Sequence, residues 1–365
     1  MQLKELITFL QEKIPLNYAE DFDNVGLLTG STTMKIKGVL VTLDTLKDTV
    51  DEAITKGCNV IISFHPIIFK GIKSLTGKSY VERTIIKAIK NDIAIYAIHT
   101  ALDNQISGVS GKMAEVLGLK NINVLIPKRE TIKKLTLFVP VDAIEEVQKS
   151  LFDAGAGTIG NYSECSFYTQ GIGTYLPNEL ANPTIGKTGV LQKEPEMALT
   201  VYFESHKTSA ILRAMYAVHP YEEVAYELAT LDNINQNIGM GVVGEFKDTM
   251  TEEDFLALIK KTYNTTNIRH SAKLDKPIKK VALLGGSGSF ALKNALDTGA
   301  DAFISADFKY HDFFGAEDQL LIVDIGHYES EQFTKNLLTE LIQKKFTNFA
   351  TVLSETQSNP IYNYH

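Results

Sequence analysis

Cysteine is scarce in this chain: Cys58 and Cys165 are the two among 365 residues. That excludes a disulfide scaffold and a cysteine-rich zinc site, and it reads as two reduced thiols in a cytoplasmic protein. Long apolar runs are missing as well. The longest, such as Asn59–Ser63 and Val281–Leu284, fall far short of the ~18 residues that a membrane span needs. Positive charge is in the minority, with 36 Lys and Arg against 44 Asp and Glu and a net charge of -8. A nucleic-acid binder normally carries a basic footprint, so nucleic acid is not the expected partner. There is no Walker-type G-x-x-x-x-G-K-[ST] loop, no low-complexity segment and no short repeat. Met1–Pro15 has Leu3, Leu6, Ile7, Leu10 and Ile14 at helical spacing with charges between them. It reads as an amphipathic helix rather than an export signal.

What is present is an ordinary globular composition, 44% apolar and 22% charged, long enough for two or three domains. Up to about residue 130 the pattern alternates strand and helix. Strands are expected at Gly38–Leu43, Asn59–Ser63 and Ile93–Ile98, and helices at Lys47–Lys56, Ser79–Asn91 and Gly111–Leu117. Apolar strands separated by amphipathic helices mean a mostly parallel sheet covered on both faces, a three-layer α/β/α body. Across 131–231 the order becomes β-α-β-β-α-β, the ferredoxin-like arrangement of an α+β insert. Its strands are expected at Leu135–Val139, Glu164–Tyr168, Gly173–Leu176, Met197–Phe203 and Glu223–Ala229, and Pro177–Pro195 reads as a loop. The first pattern resumes over 232–365, with a capped helix from Thr251 and strands at Lys280–Leu284, Ala302–Ala306 and Leu320–Ile325. The expected division is therefore 1–130 and 232–365 as one body and 131–231 as an inserted module.

Ligands of open parallel sheets bind outside the carboxyl ends of the strands. Asn59–Ser63 runs into Phe64, His65 and Pro66. Ile93–Ile98 runs into His99 and then Asp103. Ala302–Ala306 runs into Asp307 and His311, and the last of these strands into His327 and Glu331. Val281–Leu284 runs into the glycine-rich Gly285–Ser289. Imidazole and carboxylate at i,i+4, as in His327/Glu331 and Asp307/His311, are a half-site for a divalent metal. Each element alone also has a plain reading as a cap or a solvated helix face; their convergence at one sheet edge is what points to a metal. A glycine turn opening a helix can cradle phosphate through its N–H groups, or be only a tight turn. His219–Glu223 offers a histidine and two carboxylates, but His219–Pro220 reads more simply as a helix end with Glu222 and Glu223 in solvent. Asn24 and Gly26 read as a turn before the first strand. His365 is not expected to be functional.

Phe22–Gly30 (FDNVGLLTG), Ser63–Gly71 (SFHPIIFKG), His99–Asp103 (HTALD), Gly285–Gly288 (GGSG), Asp301–His311 (DAFISADFKYH) and Asp324–Glu331 (DIGHYESE) occur in order across both outer segments. Together they resemble the motifs of the dinuclear-metal-centre hexameric family, also called GTP cyclohydrolase I type 2-like and NGG-interacting-factor-three-like. Ala154–Tyr162 and His219–Tyr226 are similar to motifs of the P-II/CutA-like domain inserted in longer bacterial members. The resemblance implies His65, Asp103, His327 and Glu331 as metal ligands, with Glu331 bridging two ions. It also implies a hexameric ring. The family's first histidine of the S-H-H-P stretch is Phe64 here, and a phenyl ring ligates nothing. One ion bound weakly with water in the vacant place, a replacement by His99 or His311, and a mononuclear site all remain open.

Two imidazoles and two carboxylates suit zinc, manganese, iron(II) or cobalt, one or two ions per chain. The leading expectation is a metal-dependent hydrolase acting on a nucleotide or phosphoester-type small molecule, with Asp307 or His311 as proton shuttle. Opening of the GTP ring would need triphosphate anchors, for which Lys70, Lys309, Gly285, Gly286 and Ser287 are the candidates. The alternative is a ring-shaped metal-binding regulator or scaffold without turnover, its insert sensing a small molecule.

Overall fold

The computed structural model describes residues 1–364; His365 lies outside the described residues. The chain divides into two compact units, Met1–Pro127 with the chain from Gln236 onward, and Lys128–Asn235. The insert is thus a few residues longer at each end than the pattern 131–231 indicated.

Among the described residues, the body holds two sheets rather than the one expected. The first contains β1 (Gly26–Thr29), β2 (Gly38–Thr42), β3 (Val60–Ser63), β4 (Ala94–Ala97) and β15 (Ala350–Leu353). Its order is β1-β4-β3-β2-β15, parallel except for β1, which runs antiparallel to β4. The alternation of strand side chains sorts its residues by face. Val39, Val41, Val60 and Ile62 pack with the helices Leu3–Lys13 and Thr334–Lys345. Leu40, Ile61 and Ile95 pack with Lys47–Thr55 and Tyr80–Lys90. Both faces being covered explains why the central β2, β3 and β4 are buried at every position and mostly apolar.

The second sheet contains β5 (Lys120–Pro127), β10 (Gly239–Met250), β11 (Arg269–His270), β12 (Ile278–Ser287), β13 (Ala302–Ala306) and β14 (Leu321–Asp324). Its order is β11-β14-β13-β12-β10-β5, with parallel pairing confined to β12-β13-β14. Val281, Leu283, Ile304 and Val323 face the helices Val109–Leu117 and Glu252–Thr262. Ala282, Leu284, Phe303 and Ile322 face the helix Leu292–Asp297. Thr251 caps Glu252–Thr262 by accepting the Asp254 N–H at 3.1 Å, as its sequence indicated. β5 and β10 are antiparallel neighbours, so the chain leaves the body at Pro127 and re-enters beside it, with Gly239 opposite Pro127.

In the insert, β6 (Ile132–Pro140), β7 (Ser166–Tyr175), β8 (Gln192–Glu204) and β9 (Tyr226–Leu231) form an antiparallel sheet of order β7-β8-β6-β9. With the helices Ile144–Asp153 and Thr208–Val218 this is the expected β-α-β-β-α-β succession. The two strands expected at Glu164–Tyr168 and Gly173–Leu176 are one continuous β7. Gly171 and Gly173 lie inside it, paired in register with Glu196 and Glu194.

Candidate metal centre

The body brings the carboxyl end of β3, in the first sheet, against the carboxyl end of β14, in the second. β3 delivers His65. β14 delivers His327 and, through the short helix His327–Glu331, Glu331 one turn on. The three ligand atoms lie within 4.8 Å of one another. His65 Nε2 is 3.1 Å and His327 Nε2 is 3.2 Å from the same oxygen, Glu331 Oε2. That oxygen is buried yet has no well-formed hydrogen bond. The three groups therefore face a common point, paired there as charges, and a cation can take the place of the two imidazole protons.

Both imidazoles are held from behind. His65 Nδ1–H donates to Asp44 Oδ1 at 2.8 Å, and His327 Nδ1–H donates to Asp307 Oδ2 at 2.7 Å. A carboxylate on Nδ1 fixes the tautomer and leaves Nε2 as the donor to a metal, the pattern that accompanies metal-ligating histidines. Asp307 also accepts from the Ser287 hydroxyl. A third pair, His99 Nδ1–H to Asp23 Oδ1 at 2.8 Å, stands beside the first, with the His99 and His65 ring centroids 5.3 Å apart.

The electrostatics belong to a cluster of opposed charges. Burial opposes a charged His65, but the Glu331 charge and the Asp44 hydrogen bond outweigh it, and its pKa is pushed up to about 10. At His327 burial is likewise overcome, by the Asp307 hydrogen bond and by Glu331, to about 11. Burial works against the Glu331 carboxylate, yet the two imidazolium charges hold it at about 2. Asp103 is shifted the other way. Burial, then the Glu331 charge, pushes it well above the usual carboxylate range. A second cation would relieve that repulsion, so Asp103 suits a ligand role although it stands outside the three-atom group.

Residues 1–360 match the family described as Duf34/NIF3 (NGG1p interacting factor 3). The chain belongs to the DUF34/NIF3 family. It is 37% identical over 366 residues to the "GTP cyclohydrolase 1 type 2 homolog" of Bacillus subtilis strain 168, covering 98% of this chain and 97% of that one. The protein of the same description from Halalkalibacterium halodurans is 38% identical over 360 residues, 97% of each chain. Among solved structures, the Bacillus cereus protein related to NIF3 superposes with a TM-score of 0.87 at 36% identity, covering 100% of this chain and 99% of that one.

Within this DUF34/NIF3 body the expected site residues part company. His65, His327 and Glu331 meet. Asp307 joins the group by accepting from His327 Nδ1 and so positions that ring. His311 is not brought to the group: it is exposed on the 3-10 segment Tyr310–Ala316, its ring 5.1 Å from that of Tyr310. The i,i+4 reading of Asp307/His311 fails because Asp307 sits at φ 58, outside any helix. Lys70 and Lys309 are exposed loop residues.

Gly285, Gly286 and Ser287 end strand β12, and Gly288 then leads into the 3-10 turn Ser289–Ala291. The Gly285 N–H donates to Ser110 Oγ at 3.3 Å and the Gly286 N–H to Ser330 Oγ at 2.9 Å, so both amides are already engaged. Gly286, at φ 69, is glycine for another reason: a methyl there would strike Glu331 Oε1. Phe64, where the resemblance led to the expectation of a histidine, is fully buried in the core, its ring 4.9 Å from that of His65.

Asn24 and Gly26 do not form only a turn. Gly26 begins β1, and the Asn24 side-chain amide donates to the Ile68 carbonyl at 2.5 Å. Asp44 and Asp23 were missed as partners of the histidines. Asp44 lies two residues beyond the end of β2, the same strand-end position that makes the histidines legible.

Proposed function

We propose that His65, His327 and Glu331 hold a divalent metal ion, with Asp103 available to a second, and that the body is a metal-dependent hydrolase for a nucleotide or phosphoester-type small molecule. The observation that carries the metal is Glu331 Oε2, buried without a formed hydrogen bond and faced by two Nε2 atoms whose rings are fixed by carboxylates. A divalent ion bound there supplies Lewis acidity for hydrolytic chemistry. Charge balance supports the reading: two imidazolium protons can leave as one doubly charged ion enters, which preserves the field that Asp44, Asp307 and Glu331 create. His65 and His327 present Nε2, Asp44 and Asp307 orient them, and the partly exposed edge of His327 leaves one side open to a small molecule. The relatives' description as GTP cyclohydrolase 1 type 2 homologs supports a nucleotide.

Phe64 favours a second reading, a metal-binding regulatory ring without turnover, since a core phenyl ring stands where the resemblance implies a histidine donor. The hexamer, the cytoplasmic location and a P-II/CutA-like ligand-sensing role for the insert belong to the same proposal, resting on the motifs above. Among the described residues no helix is long and apolar enough to cross a membrane.

The deciding experiment is elemental analysis of the purified chain and of Glu331→Ala, with mass by light scattering and a nucleotide and phosphoester hydrolysis screen under zinc, manganese, iron(II) and cobalt. Metal lost in the variant together with metal-dependent turnover supports the hydrolase. Bound metal without turnover across the screen moves the conclusion to the regulator, and metal retained in Glu331→Ala overturns the site.

A further inference from the structure

The insert has its own cavity, of ≈ 970 Å³, at the upper end of the range for small-molecule sites. It lies on the sheet face turned away from the two helices. Leu135, Leu137, Val139, Leu199 and Val201 pack toward the helices, so by strand alternation Phe138, Glu196 and Ala198 face the other way. The loop after β7 and the turn after Val218 roof this face. They are tied together by the Asn182 N–H donating to Glu222 Oε1 at 2.8 Å and the Thr184 hydroxyl donating to the Pro220 carbonyl at 2.6 Å.

The lining has one sign of charge. Glu196, Glu222 and Glu223 contribute to it, and no Lys, Arg or His does among the described lining residues. Glu196 is 7% exposed. Its Oε1 accepts the Tyr221 hydroxyl at 2.9 Å, while Oε2 accepts no hydrogen bond among the described residues. Among the described residues no Lys, Arg or His lines the cavity to pair with it. Gly173 allows the arrangement, because a methyl there would overlap the carboxylate. Tyr175 and Tyr221 stand together with ring centroids 6.1 Å apart. Burial first, and then the carboxylates of Glu194 and Glu196, raise the pKa of both phenols, so the space is negative as well as aromatic. His219 is not part of the site: its Nε2–H donates to the Phe138 carbonyl at 3.0 Å and its Nδ1 accepts the Tyr221 N–H at 3.1 Å.

We propose that this cavity binds a small organic cation carrying an ammonium or guanidinium group, with Glu196 as its counter-ion and the rings of Tyr175 and Tyr221 against its charged end. A nearly buried carboxylate lacking a cation supplies a charge-assisted hydrogen bond, and tyrosine faces add cation–π attraction. Its lining residues belong to the insert, whereas the metal-ligand candidates belong to the body.

The test is calorimetry and thermal melting of the full chain with agmatine, which carries both cationic groups, against N-acetylputrescine, citrate and calcium chloride. Agmatine is expected to bind and raise Tm, more than its singly charged relative does, and Glu196→Gln is expected to weaken it roughly tenfold to a hundredfold. Ala198→Leu, which fills the cavity floor and leaves the carboxylate in place, decides the matter if Glu196→Gln does not fold; it too should remove the agmatine response. Agmatine without effect, binding unchanged in a folded Glu196→Gln or in Ala198→Leu, or preference for citrate or calcium would each overturn the proposal.

Discussion

Glu331 carries a negative charge between two imidazoles with only 4% of its side chain exposed. In the metal-free chain at neutral pH, His65 and His327 are both protonated, because their pKa values of about 10 and about 11 lie well above 7. A metal takes only the neutral imidazole, so loading should release about two protons per chain, and affinity should fall steadily as the pH is lowered. Calorimetry in buffers of different ionisation enthalpy measures that number, and a value near zero would refute the ligand assignment. The same raised values stabilise the metal-free fold below the unfolded pKa of 6.5, and that contribution is lost as the pH rises through 10 and 11. Asp44→Asn and Asp307→Asn leave all the ligands in place yet disturb their orientation. Each should weaken metal binding by about 10–100-fold with little change in Tm, as read from competition with a chelator. An unchanged affinity would reduce these pairs to surface hydrogen bonds.

At the scale of elements, the end of β12 is shaped by what lies over it. Gly286→Ala would put a methyl against Glu331 Oε1 in a left-handed backbone conformation. The expected result is a folded protein with its metal lost, by circular dichroism and elemental analysis. The tail after β15 (Ala350–Leu353) is clipped by Glu52, whose carboxylate accepts from the Ser354 hydroxyl at 2.6 Å and from the Glu355 and Thr356 N–H groups at 2.8 and 3.1 Å. Farther along, the Ser358 hydroxyl donates to Asp44 Oδ2 at 2.5 Å, which reaches the residue holding His65. Although burial opposes it, these hydrogen bonds hold Glu52 down at about 2 from 4.5. Their contribution is full above 4.5 and is lost as the pH falls through 2. The protection of the Glu355 and Thr356 amides from exchange, relative to the unfolded chain at the same pH, should therefore fall across that acid window, and Glu52→Gln should show the lower protection already at neutral pH.

At the scale of the molecule, the pairing of Pro127 with Gly239 means the insert departs from and returns to two neighbouring strands. Replacing 128–235 by a short turn should leave a folded body that binds metal as the full chain does, without any response to agmatine. A body that cannot fold without the insert would show that β5 and β10 need it to hold their register.

The sequence by itself determined the two kinds of unit, the buried parallel strands and the residue types at strand ends. Period-2 and period-3.6 burial are local properties, and a strand covered on both faces is apolar throughout. His327 and Glu331 were legible as a pair because one helical turn joins them. Two of the strands were not legible: β10 begins Gly239–Met240–Gly241 and β1 is a four-residue segment, so neither carries a hydrophobic period. Only the tertiary structure decided that His65 and His327 come from different sheets, that Asp44 and Asp307 stand behind them, and that His311 is left outside. Such placements depend on how two sheets meet, and no spacing along the chain encodes the distance between residues more than 250 positions apart.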